Sequence, residues 1–328
     1  MKKDFYKAVL KRIASSVLVL FLLVTFIFIL VRLAPGDPTQ KFLSPQLSPQ
    51  LAEKVTKSFG LDQPIYIQYY SFILNIFSGD FGISYNYRKP VFTVVKDYFL
   101  FTLIFSTISF IIQLMLGYLL AKYSFNRQGK LIDKIFSKLS IILFSVPTFV
   151  LGLILVYIFS VKLDFFPTSG IKSIYNDDLS ALGKLEDYFA HLILPMITLS
   201  LAGVAVFYKY LRDNLESVKN SAFIVNLRAN GFSEKEIFKK HLIPNAIQPL
   251  ISIGGVEFGI LLGGALLTEV IFSLPGMGRL TVSAILNRDF PLVIACSFIA
   301  GLMMILSNLA ADLIKIKMDK RFIKDLIN

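Results

Sequence analysis

Apolar positions along this chain fall into long blocks, without the period of two or of 3.6 that marks half-buried strands or surface helices. Uncharged runs cover Ile13–Val31, Phe99–Ala121, Leu139–Val161, Leu192–Tyr208 and Phe290–Ala311, and a sixth, Leu242–Thr268, is interrupted once, by Glu257. A helix rises about 1.5 Å per residue, so roughly 20 such residues cross a bilayer's hydrocarbon. The pattern predicts six membrane-spanning helices and an all-α fold. Prolines need separate explanation, because a spanning helix satisfies its own backbone. Pro195 and Pro291 are expected near span ends, where a missing donor costs little, whereas Pro147 should kink the third span.

Orientation follows from the basic residues. With the N-terminus in the cytoplasm, segments 1–12, 122–138, 209–241 and 315–328 carry 22 of the 34 lysines and arginines in 76 residues. The remaining 12 lie in the longer outer segments 32–98, 162–190 and 273–290. This nearly threefold bias per residue predicts that both termini lie inside. It also explains the formal charge of +12, because the basic residues flank apolar runs and form no stripe for nucleic acid.

Composition agrees. Of 328 residues 55 % are hydrophobic and 17 % charged, with mean hydropathy +0.66, which excludes a disordered or disulfide-stapled chain. Cys296 has no second cysteine to pair with. The first apolar run exceeds a signal peptide's 7–15 residues and lacks a clean small-x-small cleavage site, so it is read as an uncleaved helix.

The first outer segment has strong punctuation. Pro35 and Pro38 stop the first helix, Ser48-Pro49 starts a short helix that ends at Gly60, and another runs from Pro64 to about Phe77. Gly79-Asp80-Phe81-Gly82 closes it as a turn, with Tyr66, Tyr69 and Tyr70 expected at headgroup depth. The segment is either a platform for an external partner or a cap over the bundle.

The inner loop 209–241 holds two short helical patterns separated by Gly231. Ser233 and Glu236 have capping-box spacing, and Phe232 and Ile237 stand where a hydrophobic staple would close. The helix should start at Ser233 and stop before Pro244. So short a helix is marginal alone. It is either docked on a protein partner or laid on inner headgroups by Lys235, Lys239 and Lys240.

Catalytic constellations are not evident. The chain has no G-x-x-x-x-G-K-[ST] run, and His191 and His241 lack zinc-site spacing. Ser145 and Ser200 lack a nucleophile-elbow setting. An intramembrane enzyme is therefore disfavoured. An ion-coupled secondary transporter would favour internal repeats and matched broken helices, and neither is clear. Glu257, among Gly254, Gly255, Gly259, Gly263 and Gly264, should avoid lipid. It either lines a pathway, favouring a cationic substrate end, or hydrogen-bonds across a helix interface.

Leu227–Ala246, LRANGFSEKEIFKKHLIPNA, resembles the EAA loop of ATP-binding-cassette importer permeases. From about residue 8 to 322 the chain is similar to the first of the two permease subunits of dipeptide, oligopeptide and nickel importers. The matching motifs are Arg32-Leu-Ala-Pro-Gly-Asp-Pro38, Gly60-Leu61-Asp62-Gln63-Pro64, Gly79-Asp80-Phe81-Gly82, Ser145-Val146-Pro147-Thr148-Phe149 and Phe272-Ser273-Leu274-Pro275-Gly276-Met277-Gly278-Arg279. Val225, Asn226 and Leu227 depart from the charged and small residues usual in the loop, and Asp319-Lys320-Arg321 replaces Asp-Pro-Arg.

The resemblance implies a type I importer permease fold in a bacterial or archaeal cytoplasmic membrane. It divides the chain into 1–98 with the external segment, a five-helix permease domain 99–316 containing the coupling loop 209–245, and a cytoplasmic tail 317–328. Arg228, Ala229, Gly231, Phe232, Ser233, Glu236, Ile237, His241 and Pro244 would form the loop that meets the ATPases. Implied partners are a second homologous permease, two cytoplasmic ATPases that use ATP and Mg, an extracytoplasmic substrate-binding protein and membrane lipid. No cofactor is expected on this chain. Di- and oligopeptides are the expected cargo; nickel, an opine or metallophore, or a sugar are the alternatives.

Overall fold

The computed structural model describes residues 2–33 and 63–318, and these form helices and no named strand. The short helix expected between Ser48 and Gly60, the Pro35 and Pro38 stop and the Asp319-Lys320-Arg321 motif lie outside the described residues. Helix α1 is Lys2–Leu33, α2 Ile65–Ser78, α3 Val91–Phe125, α4 Leu131–Ser145, and α5 Thr148–Leu155, which widens into a π-helical turn, Val156–Lys162. Next come α6 Ala181–Lys219, α7 Ala222–Ala229, α8 Glu234–Glu236, a π-helical segment Ile237–Leu242, and α9 Ile243–Leu262. Helices α10 Leu266–Ile271, α11 Met277–Leu286 and α12 Phe290–Met318 complete the order. Among the described residues five stretches are long and apolar enough to cross a membrane, or six when the bent pair α4–α5 counts as one.

That pair corrects the expected kink at Pro147. Leu131–Ser145 and Thr148–Lys162 meet at 101°, a break that exceeds a kink. The residue before a proline avoids helical backbone, and Val146 is extended at φ −82°, ψ 122°. Pro147 then starts α5, where its missing donor has no partner to lose. A second correction concerns Pro195. Helix α6 starts at Ala181, well before the apolar run, so this proline sits inside a helix of 39 residues. Pro291 does lie in the first turn of α12.

Helix α2 and its turn follow the sequence closely. Pro64 precedes it, and Gly79 ends it in left-handed geometry at φ 80°, its N–H reaching the carbonyls of Asn75 and Ile76. The Tyr69 hydroxyl meets Thr25 Oγ1 at 2.7 Å, and its ring packs edge-on against Phe28, so α2 is tied to α1. Tyr66 and Tyr70 remain exposed.

Small residues let the long helices touch. A methyl group on Gly117 of α3 would stand 2.6 Å from Phe207 Cβ of α6, and one on Gly255 of α9 would stand 2.5 Å from Ala311 Cβ of α12. Ser307 Oγ donates to the Gly255 carbonyl at 2.6 Å, which satisfies a hydroxyl that hydrocarbon could not. At the basic end, Arg212 of α6 grips Asp133 of α4 by two hydrogen bonds of 3.0 Å and Glu216 by one of 2.7 Å. Asp133 also accepts from Ser124 Oγ at 2.5 Å and Gly129 N–H at 3.0 Å, so α3, α4 and α6 are fastened together there.

Candidate functional site

The loop around Gly231 is built by local backbone chemistry. Helix α7 ends where Gly231 N–H donates to the Arg228 carbonyl at 3.0 Å and Phe232 N–H to that of Leu227 at 3.2 Å. This double closure needs a left-handed residue, and Gly231 has φ 80°. Ser233 then opens α8, its Oγ accepting from Glu236 N–H at 3.3 Å. The capping box closes on one side only, because the Glu236 carboxylate turns to Lys240 Nζ at 2.8 Å. Across the loop, Arg228 Nε donates to Glu234 Oε1 at 2.7 Å and holds α7 against α8. That hydrogen bond raises the Arg228 pKa further above its ordinary value.

Pro244 does not stop the helix as expected. Glu234–Ile271 forms one apolar helical stretch in which Pro244 sits in the first turn of α9. The intervening π-helical segment Ile237–Leu242 accounts for this. A turn widened to i→i+5 re-registers the ladder just where proline removes a donor. Asn245 Nδ2 donates to the His241 carbonyl at 2.6 Å and satisfies an acceptor at this junction. The hairpin's second helix and α9 are therefore continuous.

The structure gathers Arg228, Ala229, Gly231, Phe232, Ser233, Glu236, Ile237 and His241 into one hairpin, with Pro244 exposed at its exit. Ile237 is 1 % exposed and anchors the loop to the bundle. Phe232 stands 41 % exposed, its ring edge-on to His241, and Val225 is 55 % exposed. Glu257 is apart from this group. It lies 13 residues beyond Pro244 on the same helix, about 20 Å at 1.5 Å per residue. It is half-buried on α9 beside an apolar groove that its neighbours Gly254, Gly255 and Phe258 line.

Sequence reading missed a second set of polar residues. Glu269 of α10 is 0 % exposed and its carboxylate accepts from Gly278 N–H at 2.6 Å, Arg279 N–H at 3.1 Å and Thr102 Oγ1 at 3.0 Å. Thr102 in turn accepts from Met277 N–H at 2.8 Å. An acid thus caps the positive end of α11, as an N-terminal dipole favours. Any side chain on Gly276 would run into this carboxylate, and one on Gly278 into the Leu266 backbone, which explains the glycines of the Leu-Pro-Gly-Met-Gly stretch. The signal available was an acid one residue past the apolar run Leu242–Thr268. Asp289 is a similar case at the start of α12: it accepts from Ser84 Oγ at 2.5 Å and Asn86 N–H at 3.0 Å. Among the described residues no group of three or more His, Cys, Asp or Glu is placed to hold a metal ion.

Comparison with known proteins agrees along nearly the whole length. Residues 113–324 match the family described as binding-protein-dependent transport system inner membrane component, and residues 5–106 match its N-terminal family. The dipeptide transport system permease protein DppB of Lactococcus lactis subsp. cremoris is 33 % identical over 96 % of this chain and 98 % of its own. The oligopeptide transport system permease protein AppB of Bacillus subtilis is 32 % identical over 95 % and 98 %. The glutathione transport system permease protein GsiC of Escherichia coli K12 is 32 % identical over 93 % and 95 %. In fold, the chain is similar to an inward-facing structure of the MetNI methionine ABC transporter, with TM-score 0.53 at 15 % identity, covering 70 % of this chain and 97 % of that one. An apolar multi-helix bundle, a hairpin continuous with a span, and matches that cover both halves of the chain lead to one conclusion: this multi-pass membrane protein belongs to the family of inner membrane components of binding-protein-dependent transport systems, as a permease subunit of an ATP-binding-cassette importer.

Proposed function

We propose that this chain forms half of the translocation pathway of an importer for di- and oligopeptides. The continuity of the hairpin 222–242 with α9 carries the mechanical part of this reading. Two cytoplasmic ATPases, which bind ATP and Mg, would dock on Ala229, Phe232, Ser233 and Glu236, with the exposed side chains of Val225 and Phe223 adding apolar area. Exposed apolar side chains on a water-facing loop fit a docking surface. Ile237 and the Arg228–Glu234 pair would keep the hairpin stiff, so closure of the ATPases is passed to α9 and opens the path outward. A binding protein then releases its peptide into the path, and hydrolysis reopens it inward, which is alternating access by rigid-body rocking.

A second homologous permease would complete the path, and both termini would face the cytoplasm of a bacterial or archaeal cell, as the basic segments favour. The peptide assignment is supported by what the relatives DppB, AppB and GsiC transport. The test is a reconstituted complex of this permease, its partner permease, the ATPases and the binding protein in vesicles. Di- and oligopeptides should stimulate ATP turnover and accumulate inside. Stimulation by nickel chelates, opines or sugars, with none by peptides, would overturn the cargo assignment.

A further inference from the structure

Beside the hairpin, at the inner end of α3 and α9, lies a cleft of about 650 Å³. Its charged wall is Lys122, Lys219, Arg228, Lys235 and Lys239 against a single acid, Glu234. Arg228 takes up that acid, and the four lysines form no ion pair among the described residues, although Lys219 Nζ donates to Gln128 Oε1 at 2.8 Å. Lys122 Nζ stands 5.9 Å above the Tyr118 ring and Lys219 Nζ 5.6 Å from that of Phe125. Four like charges in one concavity make a field that favours an anion.

The same Tyr118 also lines a second concavity. An apolar groove of about 670 Å³ runs between α3, α6, α9 and α12, past Leu114, Ile247, Ile251, Phe258 and Ala310. Its α9 wall extends from Ile247 to Leu262, about 22 Å at 1.5 Å per residue, against roughly 15 Å for half of a bilayer's hydrocarbon. Tyr118 lies seven residues before the end of α3. There an aromatic ring with a polar tip suits the boundary between hydrocarbon and headgroups. A basic cleft and an apolar groove somewhat longer than one leaflet, sharing Tyr118 as a wall, together have the charge and polarity of a single amphiphile.

We infer that the cleft and groove together hold one anionic phospholipid of the leaflet that the basic end of the bundle faces. Its phosphate sits among Lys122, Lys219, Lys235 and Lys239, and an acyl chain lies along the groove. Basic pockets between spanning helices select anionic headgroups in this way. The occupant is committed by charge complementarity at one end and apolar continuity at the other. A free anion would leave the groove empty, and a protein partner on the hairpin would meet Lys235 and Lys239 without filling the groove.

The experiment uses the purified importer complex, equilibrated with vesicles of equal phosphatidylglycerol and phosphatidylcholine, with retained lipid counted by native mass spectrometry. Phosphatidylglycerol should be retained in preference, and millimolar inorganic phosphate should not displace it. Lys122→Gln with Lys219→Gln should weaken retention about 30-fold, since each basic residue near a headgroup contributes comparably. Should that pair of changes prevent assembly, Lys122→Gln alone gives the smaller loss of about fivefold. Ala310→Trp, which fills the groove from an exposed position, should weaken retention with the lysines intact. A photo-cross-linking side chain at position 310 should capture lipid. Equal retention of both lipids, displacement by phosphate, unchanged retention in the variants, or capture of the second permease at position 310 would overturn the inference.

Discussion

Thr102 and Glu269, 167 positions apart, share a hydrogen bond of 3.0 Å at the buried meeting point of α3, α10 and α11. Thr102 also receives the Met277 N–H and Glu269 those of Gly278 and Arg279, so two side chains satisfy three backbone donors at the start of α11. Glu269→Ala would leave two of those donors bare, at about 1–3 kcal/mol for each buried group left unpaired. The complex carrying it should melt several degrees below the wild type in a thermal scan. Glu269→Gln, which still offers one acceptor, should fall between. Equal melting temperatures would show that water replaces the carboxylate without loss.

At Gly231 the expected change is functional. Nothing lies within 4 Å of an added methyl group there, so the cost of a side chain is conformational, about 1 kcal/mol or more at φ 80°. Gly231→Val should insert and assemble normally yet lose substrate-stimulated ATP turnover. Full stimulation in that variant would remove the hairpin from the coupling path.

Topology gives a test independent of activity. In a Cys296→Ala background, cysteines at Lys130 and Lys239 should resist an impermeant thiol reagent in intact cells, whereas those at Asp80 and Lys172 should react. Outside labelling of position 239 would reverse the orientation.

Glu257 separates pathway from packing. It is half-buried on α9, and a carboxylate facing lipid at this depth would cost several kcal/mol. Glu257→Gln keeps the shape and removes the charge. Transport of cationic peptides should fall most if the carboxylate meets a peptide amino terminus, about tenfold for each 1.4 kcal/mol of interaction lost. Wild-type uptake of neutral and cationic peptides alike would make Glu257 a packing residue.

What could be read in the residues was local. Gly231 and Ser233 carry their geometry in their own backbone and side-chain preferences, so the hairpin was legible, as were α2 and the left-handed Gly79. Pro147 gave the position of a break and not its size, because the 101° angle is set by what α4 and α5 pack against. Pro244 misled for a related reason. A π-helical turn costs little when neighbours hold both sides, and nothing within six residues reports those neighbours. The Asp133–Arg212 and Thr102–Glu269 pairs join positions 79 and 167 residues apart, and no local pattern predicts which acid in an apolar chain meets which donor.

The unbroken run from Glu234 through the π-helical segment to Leu262 sets a mechanical advantage. Its 29 residues make a rod of about 43 Å, ending at the glycine pair Gly263-Gly264, where the α-helical backbone is interrupted before α10. Were the rod to pivot at that pair, pulling the Ser233 end sideways by about 4 Å would tilt it by only about 5°, on this same length. A lever of that ratio trades distance for force. Large strokes at the hairpin tip would become small, strong displacements within the span, where the packing of Gly255 against Ala311 leaves room for little more.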